Sequence, residues 1–242
     1  MNVAAGVPVV LVPVKSTSTA KQRLGAVLDQ ASRTELAQAM LYEVLTVLHN
    51  WRLNRKARAG VAVVTSDVFA TELARKYEFE IIPDPDNPGE TGAIEMATRA
   101  CVERGAESTL VIPSDIPLIQ SWEVEEILTH APTEGSVLVP AFDGRGTNAA
   151  FRRPANLFPL RFGDDSFEPH HAAAKATGKP CMVLKLPGIA VDVDTPEDLQ
   201  RLISLPGETR AQQLAREYTR DGIGHLRRSA PVRPRSDDKF PL

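Results

Sequence analysis

The sequence predicts an α/β domain built on a mostly parallel, doubly wound sheet with helices on both faces. Three observations carry this. Continuous apolar runs at Val7–Val14, Gly60–Thr65, Leu110–Ile112 and Val137–Ala141 read as strands covered on both sides. Segments with helical spacing alternate with them, and the connections are short, which favours right-handed parallel crossovers. With 242 residues, 43% hydrophobic and 5% aromatic, the chain is long enough for one sizeable core.

In chain order, Val7–Val14 is the first strand, followed by the polar, basic segment Lys15–Leu24. Lys15, Lys21 and Arg23 after a strand resemble a triphosphate-binding loop, where cationic groups meet phosphate oxygens. The G-x-x-x-x-G-K-[ST] pattern is absent, so it is not a P-loop. Solvated surface charge is the plainer alternative. Ser32-Arg-Thr-Glu35 forms a capping box ahead of Leu36, Met40, Leu41, Val44 and Leu48, which predicts an amphipathic helix to about Asn50. Strand Gly60–Thr65, a helix over Phe69–Tyr77 and a short strand Glu80–Pro83 continue the alternation.

Asp84–Gly92 is dense in turn formers and reads as a loop at a strand's carboxyl end, suited either to close over a nucleotide base or to serve as a plain surface turn. A helix over Ala93–Arg104 leads to Leu110-Val-Ile-Pro-Ser-Asp-Ile-Pro-Leu118. There Pro113 stops a buried strand, because proline lacks the N–H a sheet interior requires, and Asp115 stands just past its tip. Ligands of open α/β sheets sit at that edge. Helix Trp122–Ala131 and strand Val137–Ala141 follow.

Asp143-Gly-Arg-Gly-Thr-Asn148 precedes strand Ala149–Arg152, and Phe162-Gly-Asp-Asp-Ser-Phe167 precedes a helix that ends at Gly178 with Ser166 as its cap. Glycines permit close backbone approach, and a helix start with a small cap suits an anion. A hairpin turn and an ordinary capped helix are the plainer reading of either segment taken alone. His170 and His171 point about 100° apart on a helix, which disfavours a shared metal. The last strands are Pro180–Lys185 and Gly188–Asp194, the second placing Asp192 and Asp194 on one face. Thr195 then caps a helix with Pro196 at its first position, and Arg210–Tyr218 predicts one more. Asp115 would meet Asp192 and Asp194 if their strands are neighbours, giving the oxygen-rich set that magnesium prefers.

A formal charge of -3 argues against nucleic acid as the main partner. Eight Lys/Arg against five Asp/Glu from Gly207 onward give that tail +3 and leave -6 on residues 1–206. The segment Arg227–Lys239 is Pro-rich and charged and reads as disordered. Cys101 and Cys181 form no C-x-x-C pair and read as reduced core residues. No apolar run reaches the ~18 residues of a membrane span, and no secretory signal is evident, so a cytoplasmic location without membrane association is expected.

Several segments together resemble the 2-phospho-L-lactate guanylyltransferase family, whose relatives use phosphoenolpyruvate or 3-phosphoglycerate, in coenzyme F-420 biosynthesis. They are Val12-Pro-Val-Lys15 with Lys21-Gln-Arg-Leu24, Pro113–Leu118, Gly146-Thr-Asn148, Arg161-Phe-Gly163 with Ser166-Phe167, and Asp192-Val-Asp-Thr-Pro-Glu-Asp198. The resemblance covers residues 7–205 and implies a GT-A-like nucleotidyltransferase (Rossmann-like) fold over 1–206, with 207–242 as a basic extension. It implies GTP, a small phosphorylated carboxylic acid and Mg2+ as requirements, and it permits a homodimer. Asp115, Asp192 and Asp194 match metal-binding acids, and Thr147, Gly163 and Ser166, with Asn148 beside them, match the acceptor contacts. Lys15 and Lys21 match the triphosphate loop and, with Asp115, the catalytic set; Arg23, Asp84, Gly92 and Ser114 complete the expected nucleotide side. Gly89-Glu-Thr-Gly92 departs from the family's Gly-Leu-Asn-like turn, which bears on guanine selectivity. A molybdopterin nucleotidyltransferase or an inert nucleotide-binding regulator are the alternatives.

Overall fold

The computed structural model describes residues 8–54, 60–85 and 89–222. The expected disordered stretch 227–239 therefore lies outside the described residues. Among the described residues seven strands form one sheet: β1 (Val9–Pro13), β2 (Gly60–Val64), β3 (Glu80–Ile82), β4 (Thr109–Val111), β5 (Gly135–Pro140), β6 (Thr147–Arg153) and β7 (Cys181–Val183), in the order β3-β2-β1-β4-β6-β5-β7. Only β6 runs against the others. The reason is local. The turn between β5 and β6 closes through Ala141 N–H to Gly146 O at 2.9 Å and Gly144 N–H to Ala141 O at 2.9 Å, with Gly144 at φ 75. So short a connection forces an antiparallel pair.

The helices are α1 (Gln30–Asn54), α2 (Val68–Lys76), α3 (Glu90–Glu103), α4 (Ser121–Thr129), α5 (Phe167–Ala176), α6 (Pro196–Ser204) and α7 (Arg210–Gly222). Alternate β1 residues point to opposite faces. Val10 and Val12 join Leu45, Leu48, Leu73 and Ile127 of α1, α2 and α4. Val9 and Leu11 join Ile94, Ala97 and Ala174 of α3 and α5. A third cluster packs Leu24, Leu36 and Met40 against Leu199 and Leu202 of α6 and Leu214 of α7, so α7, beyond residue 206, is packed onto the domain. No helix among the described residues is long and apolar enough to cross a membrane. Cys101 and Cys181 are both free thiols, Cys101 buried.

Several elements differ from expectation. Helix α1 starts at Gln30, before the Ser32 box, because the Asp29 carboxylate accepts the Ser32 amide at 2.8 Å. Helix α3 starts at Glu90 rather than Ala93. The segment 188–194 is not a strand. Its backbone groups are taken up by side chains and loops instead: the Glu123 carboxylate accepts from Gly188 N at 2.7 Å, Ile189 O accepts from Asn148 Nδ2 at 2.9 Å, and Val193 N donates to Asp115 O at 3.2 Å. Gly188 is obligatory there, since a Cβ would lie 2.3 Å from Leu118 O.

Candidate active site

The carboxyl ends of β1 and β4 are neighbours, and the chain leaves both at prolines, Pro13 and Pro113. Beyond Pro13 the backbone makes two short 3-10 turns, Thr17–Thr19 and Gln22–Ala26. Between them Lys21 adopts φ 56, a left-handed conformation that costs a non-glycine residue ~1 kcal/mol. The turn carries the Lys21 side chain inward, where its ammonium donates to Asp115 Oδ2 at 2.6 Å and Asp194 Oδ1 at 2.7 Å. Burial by itself would lower the Lys21 pKa, but the two carboxylates more than reverse that and hold the ammonium charged. Lys21 in turn draws the Asp194 pKa down.

Asp194 is presented by the start of α6. Thr195 accepts from Asp198 N at 3.3 Å, and Asp198 Oδ2 accepts from Thr195 N at 2.9 Å and Asp194 N at 3.3 Å, a reciprocal cap that fixes the turn. Asp192 has a different environment. Asn148 Nδ2 donates to its Oδ1 at 2.9 Å, yet burial and then the nearby Asp115 charge push its pKa up to about 6. Asn148 thus serves here to orient Asp192.

Two cavities meet at this centre and share Glu90, Pro113, Asp115 and Asp194 as a common wall. One, of about 340 Å³, is lined by Thr147, Asn148, Gly163, Ser166, Asp192 and Arg23. The other, of about 380 Å³, is lined by Lys15, Ser16, Thr17, Lys21 and Ser114. A third cavity continues past Lys15–Ser18 to Ser66 and Asp84. Asp84 is 7% exposed, and no hydrogen bond joins its side chain to a described residue. Asp67 on the same cavity is committed, accepting from Thr17 N at 2.8 Å and Ala70 N at 2.9 Å.

The expected residues therefore divide. Lys15, Lys21 and Ser114 share one cavity, with Asp84 in the adjoining one, whereas Arg23 lies on the Thr147 side, exposed and paired with Asp164 at 2.9 Å. Gly92 lies in the first turn of α3 and lines none of these three cavities. Ser166 precedes α5 without a side-chain cap bond; its hydroxyl accepts the Thr147 amide at 3.0 Å. Three residues were not anticipated. Glu90 projects into the wall between the cavities, its pKa pushed up to about 7 by burial and the Asp115 charge. Thr91 pins the opposite loop, accepting from Phe162 N at 3.0 Å. His170 bonds both Thr147 and Arg161. The partner of Thr91 lies 71 residues away and those of His170 lie 23 and 9 residues away, so no local pattern announces them.

Among the described residues no three His, Cys, Asp or Glu side chains form a ready-made metal cage. Magnesium characteristically takes only one or two protein carboxylates and completes its shell with phosphate and water. Asp115, Asp192 and Asp194 are hard oxygen donors, and Asp192, whose pKa is raised by burial and then by the Asp115 charge, receives no bond from Lys21, whose ammonium is taken by the other two. This donor set fits such a cation.

A family profile described as "Guanylyl transferase CofC like" matches residues 8–225. The chain is 35% identical over 210 residues to a phosphoenolpyruvate guanylyltransferase of Roseiflexus castenholzii, covering 86% of this chain and 93% of that one. It is 34% identical over 210 residues to a 2-phospho-L-lactate guanylyltransferase of Methanothermobacter thermautotrophicus, covering 87% and 88%. A solved Desulfovibrio desulfuricans structure described as a nucleotide-diphospho-sugar transferase shares the fold, with TM-score 0.70 and 19% identity over 90% of this chain and 97% of that one.

Proposed function

We propose a specific guanylyl transfer reaction for this chain, which belongs to the Guanylyl transferase CofC-like family. GTP occupies the Lys15–Lys21 side, and a small phosphorylated carboxylic acid such as phosphoenolpyruvate, 3-phosphoglycerate or 2-phospho-L-lactate occupies the Thr147–Ser166 side. The product is a guanylylated acid for coenzyme F-420 biosynthesis. The observation that carries the reading is the common wall: Asp115, Asp194 and Glu90 border both cavities, so reactants held on either side meet at one charged centre.

A phosphate oxygen of the acid attacks the α-phosphorus of GTP. The α–β bridging P–O bond breaks, its electron pair leaves with pyrophosphate, and a new phosphoanhydride forms. Phosphate is already ionised near neutrality, so no general base is required and the chain's task is positioning and charge balance. Lys15 and Lys21 hold triphosphate oxygens, and Ser114 borders them. Thr147, Gly163 and Ser166 hold the acceptor phosphate. Mg2+ would draw its one or two carboxylate ligands from Asp115, Asp192 and Asp194 and would supply neutralisation of the phosphate oxygens. Asp84, 7% exposed and with no side-chain hydrogen bond to a described residue, would take the N1–H and 2-amino donors that guanine presents and adenine lacks side by side.

The test is pyrophosphate release with GTP and each acid, with product mass as identification. Asp115→Asn is expected to slow turnover by several orders of magnitude, on the scale of ~3–5 kcal/mol. Near-normal turnover in that variant would refute the assignment of the centre.

A further inference from the structure

We infer that His170 is a positioning residue of the acceptor cavity: its imidazole, bonded at both nitrogens, ties Thr147 to the Arg161–Gly163 loop and turns the Thr147 hydroxyl proton toward the ligand. This rests on the acceptor reading above.

The side chain is 1% exposed and sits at the start of α5. Its Nε2 accepts the Arg161 amide at 2.7 Å, so in the neutral ring the proton belongs to Nδ1. Nδ1–H then donates to Thr147 Oγ1 at 2.8 Å. A hydroxyl that accepts there must send its own proton elsewhere, and Thr147 Oγ1 has no other partner among the described residues. Ser166 Oγ is in the same condition, since it accepts the Thr147 amide at 3.0 Å. Both residues line the acceptor cavity. The result is a pair of neutral O–H donors, each already accepting one hydrogen bond from behind, suited to an oxygen-rich anion.

The same ring sets the loop on the other side. Arg161 N is held by Nε2, Phe162 packs edge-on at 5.2 Å between centroids, and Thr91 accepts Phe162 N at 3.0 Å, so Gly163 reaches the cavity at φ 132 from a loop anchored at two points. Burial and the neighbouring Arg152 guanidinium keep the ring neutral, with its pKa lowered to about 4.

Two variants separate the ring's functions. The amide of His170→Asn replaces Nδ1 and keeps a donor toward Thr147; that of His170→Gln replaces Nε2 and keeps an acceptor toward Arg161. Half-saturation and turnover are measured with GTP and whichever of phosphoenolpyruvate, 3-phosphoglycerate or 2-phospho-L-lactate supports pyrophosphate release. His170→Gln is expected to raise acceptor half-saturation roughly tenfold or more, with GTP half-saturation unmoved, and His170→Asn to raise it less. Equal effects of the two variants, or a parallel rise for GTP, would overturn the inference. Thr147→Val is the control for the underlying reading: no change in acceptor half-saturation there discards the acceptor cavity itself, whereas a rise there with no effect at His170 discards only this inference. Ring 15N shifts of the wild-type protein give a readout independent of activity. The Nδ1–H tautomer at neutral pH is expected, and an Nε2–H tautomer or an imidazolium would refute it.

Discussion

The two sides of the cleft arrange their charges differently. On the Lys15–Lys21 side, a cation is driven into a buried position and balanced by two carboxylates, with Lys21 bridging Asp115 and Asp194 at 2.6 and 2.7 Å. On the Thr147–Ser166 side the inward hydroxyl donors of Thr147 and Ser166 are neutral and stand beside the Asp192 carboxylate, and the cations at its mouth are paired with acids: Arg23 with Asp164, Arg145 with Asp165 and Arg201 with Asp198. The buried ion pairs are therefore concentrated at the shared wall, where the proposed transfer would exchange bonds. Shape and hydrogen-bond direction are concentrated where the acceptor must be recognised. A cleft lined with cations throughout would hold any phosphate; this one discriminates by geometry on one side only.

The contrast can be broken most severely at Lys21. Lys21→Met removes the cation between Asp115 and Asp194 and leaves the two acids facing one another, so turnover should fall by orders of magnitude. Thermal unfolding should reveal a loss of ~2–3 kcal/mol, reduced from the fully buried case because Asp194 is partly exposed. A variant with unchanged unfolding temperature would show that the ionic centre is not structural.

A pH experiment probes the neutral side. The folded His170 pKa, about 4, lies below the ordinary 6.5, so the unfolded chain binds a proton that the folded ring refuses. The stability His170 allows is therefore fully present above pH 6.5 and lost as pH falls toward 4, by as much as ~3 kcal/mol. Urea unfolding of His170→Asn should lack that loss across the same window. If wild type and variant decline in parallel, the ring is not held neutral. The smallest effect belongs to Arg23: Arg23→Gln removes an exposed pair and should change acceptor half-saturation by less than about threefold. A larger change would mean that Arg23 contacts substrate directly.

Much of the sheet was legible because each cue was local. The apolar runs of β1, β2 and β5 are covered on both faces, Pro13 and Pro113 end their strands, and the Thr195–Asp198 cap lies within four residues. The segment 188–194 misled because its alternation is that of a strand, while its hydrogen bonds go to Glu123, Asn148 and Asp115, partners brought in by the fold. The antiparallel run of β6 was legible as the hairpin turn at Asp143–Asn148, which the structure closes at Gly144. At the site, Lys21 and Asp115 stand close to strand tips and were readable as chemistry. His170 and Thr91 were not, since each acts through a loop whose position no short motif specifies. Ser166 was found for a different reason from the one that matters: its hydroxyl serves Thr147 rather than its own helix.

The division of the cleft is tested most directly by measuring half-saturation for GTP and for the acceptor in two variants side by side, Ser166→Ala and Asp84→Asn. The account predicts a crossed result. Ser166→Ala raises the acceptor's value and leaves that of GTP alone, while Asp84→Asn raises the value for GTP, weakens the preference over ATP, and leaves the acceptor alone. Variants that move both substrates together, or each the other's, would contradict the assignment of one substrate to each side of the Asp115 wall.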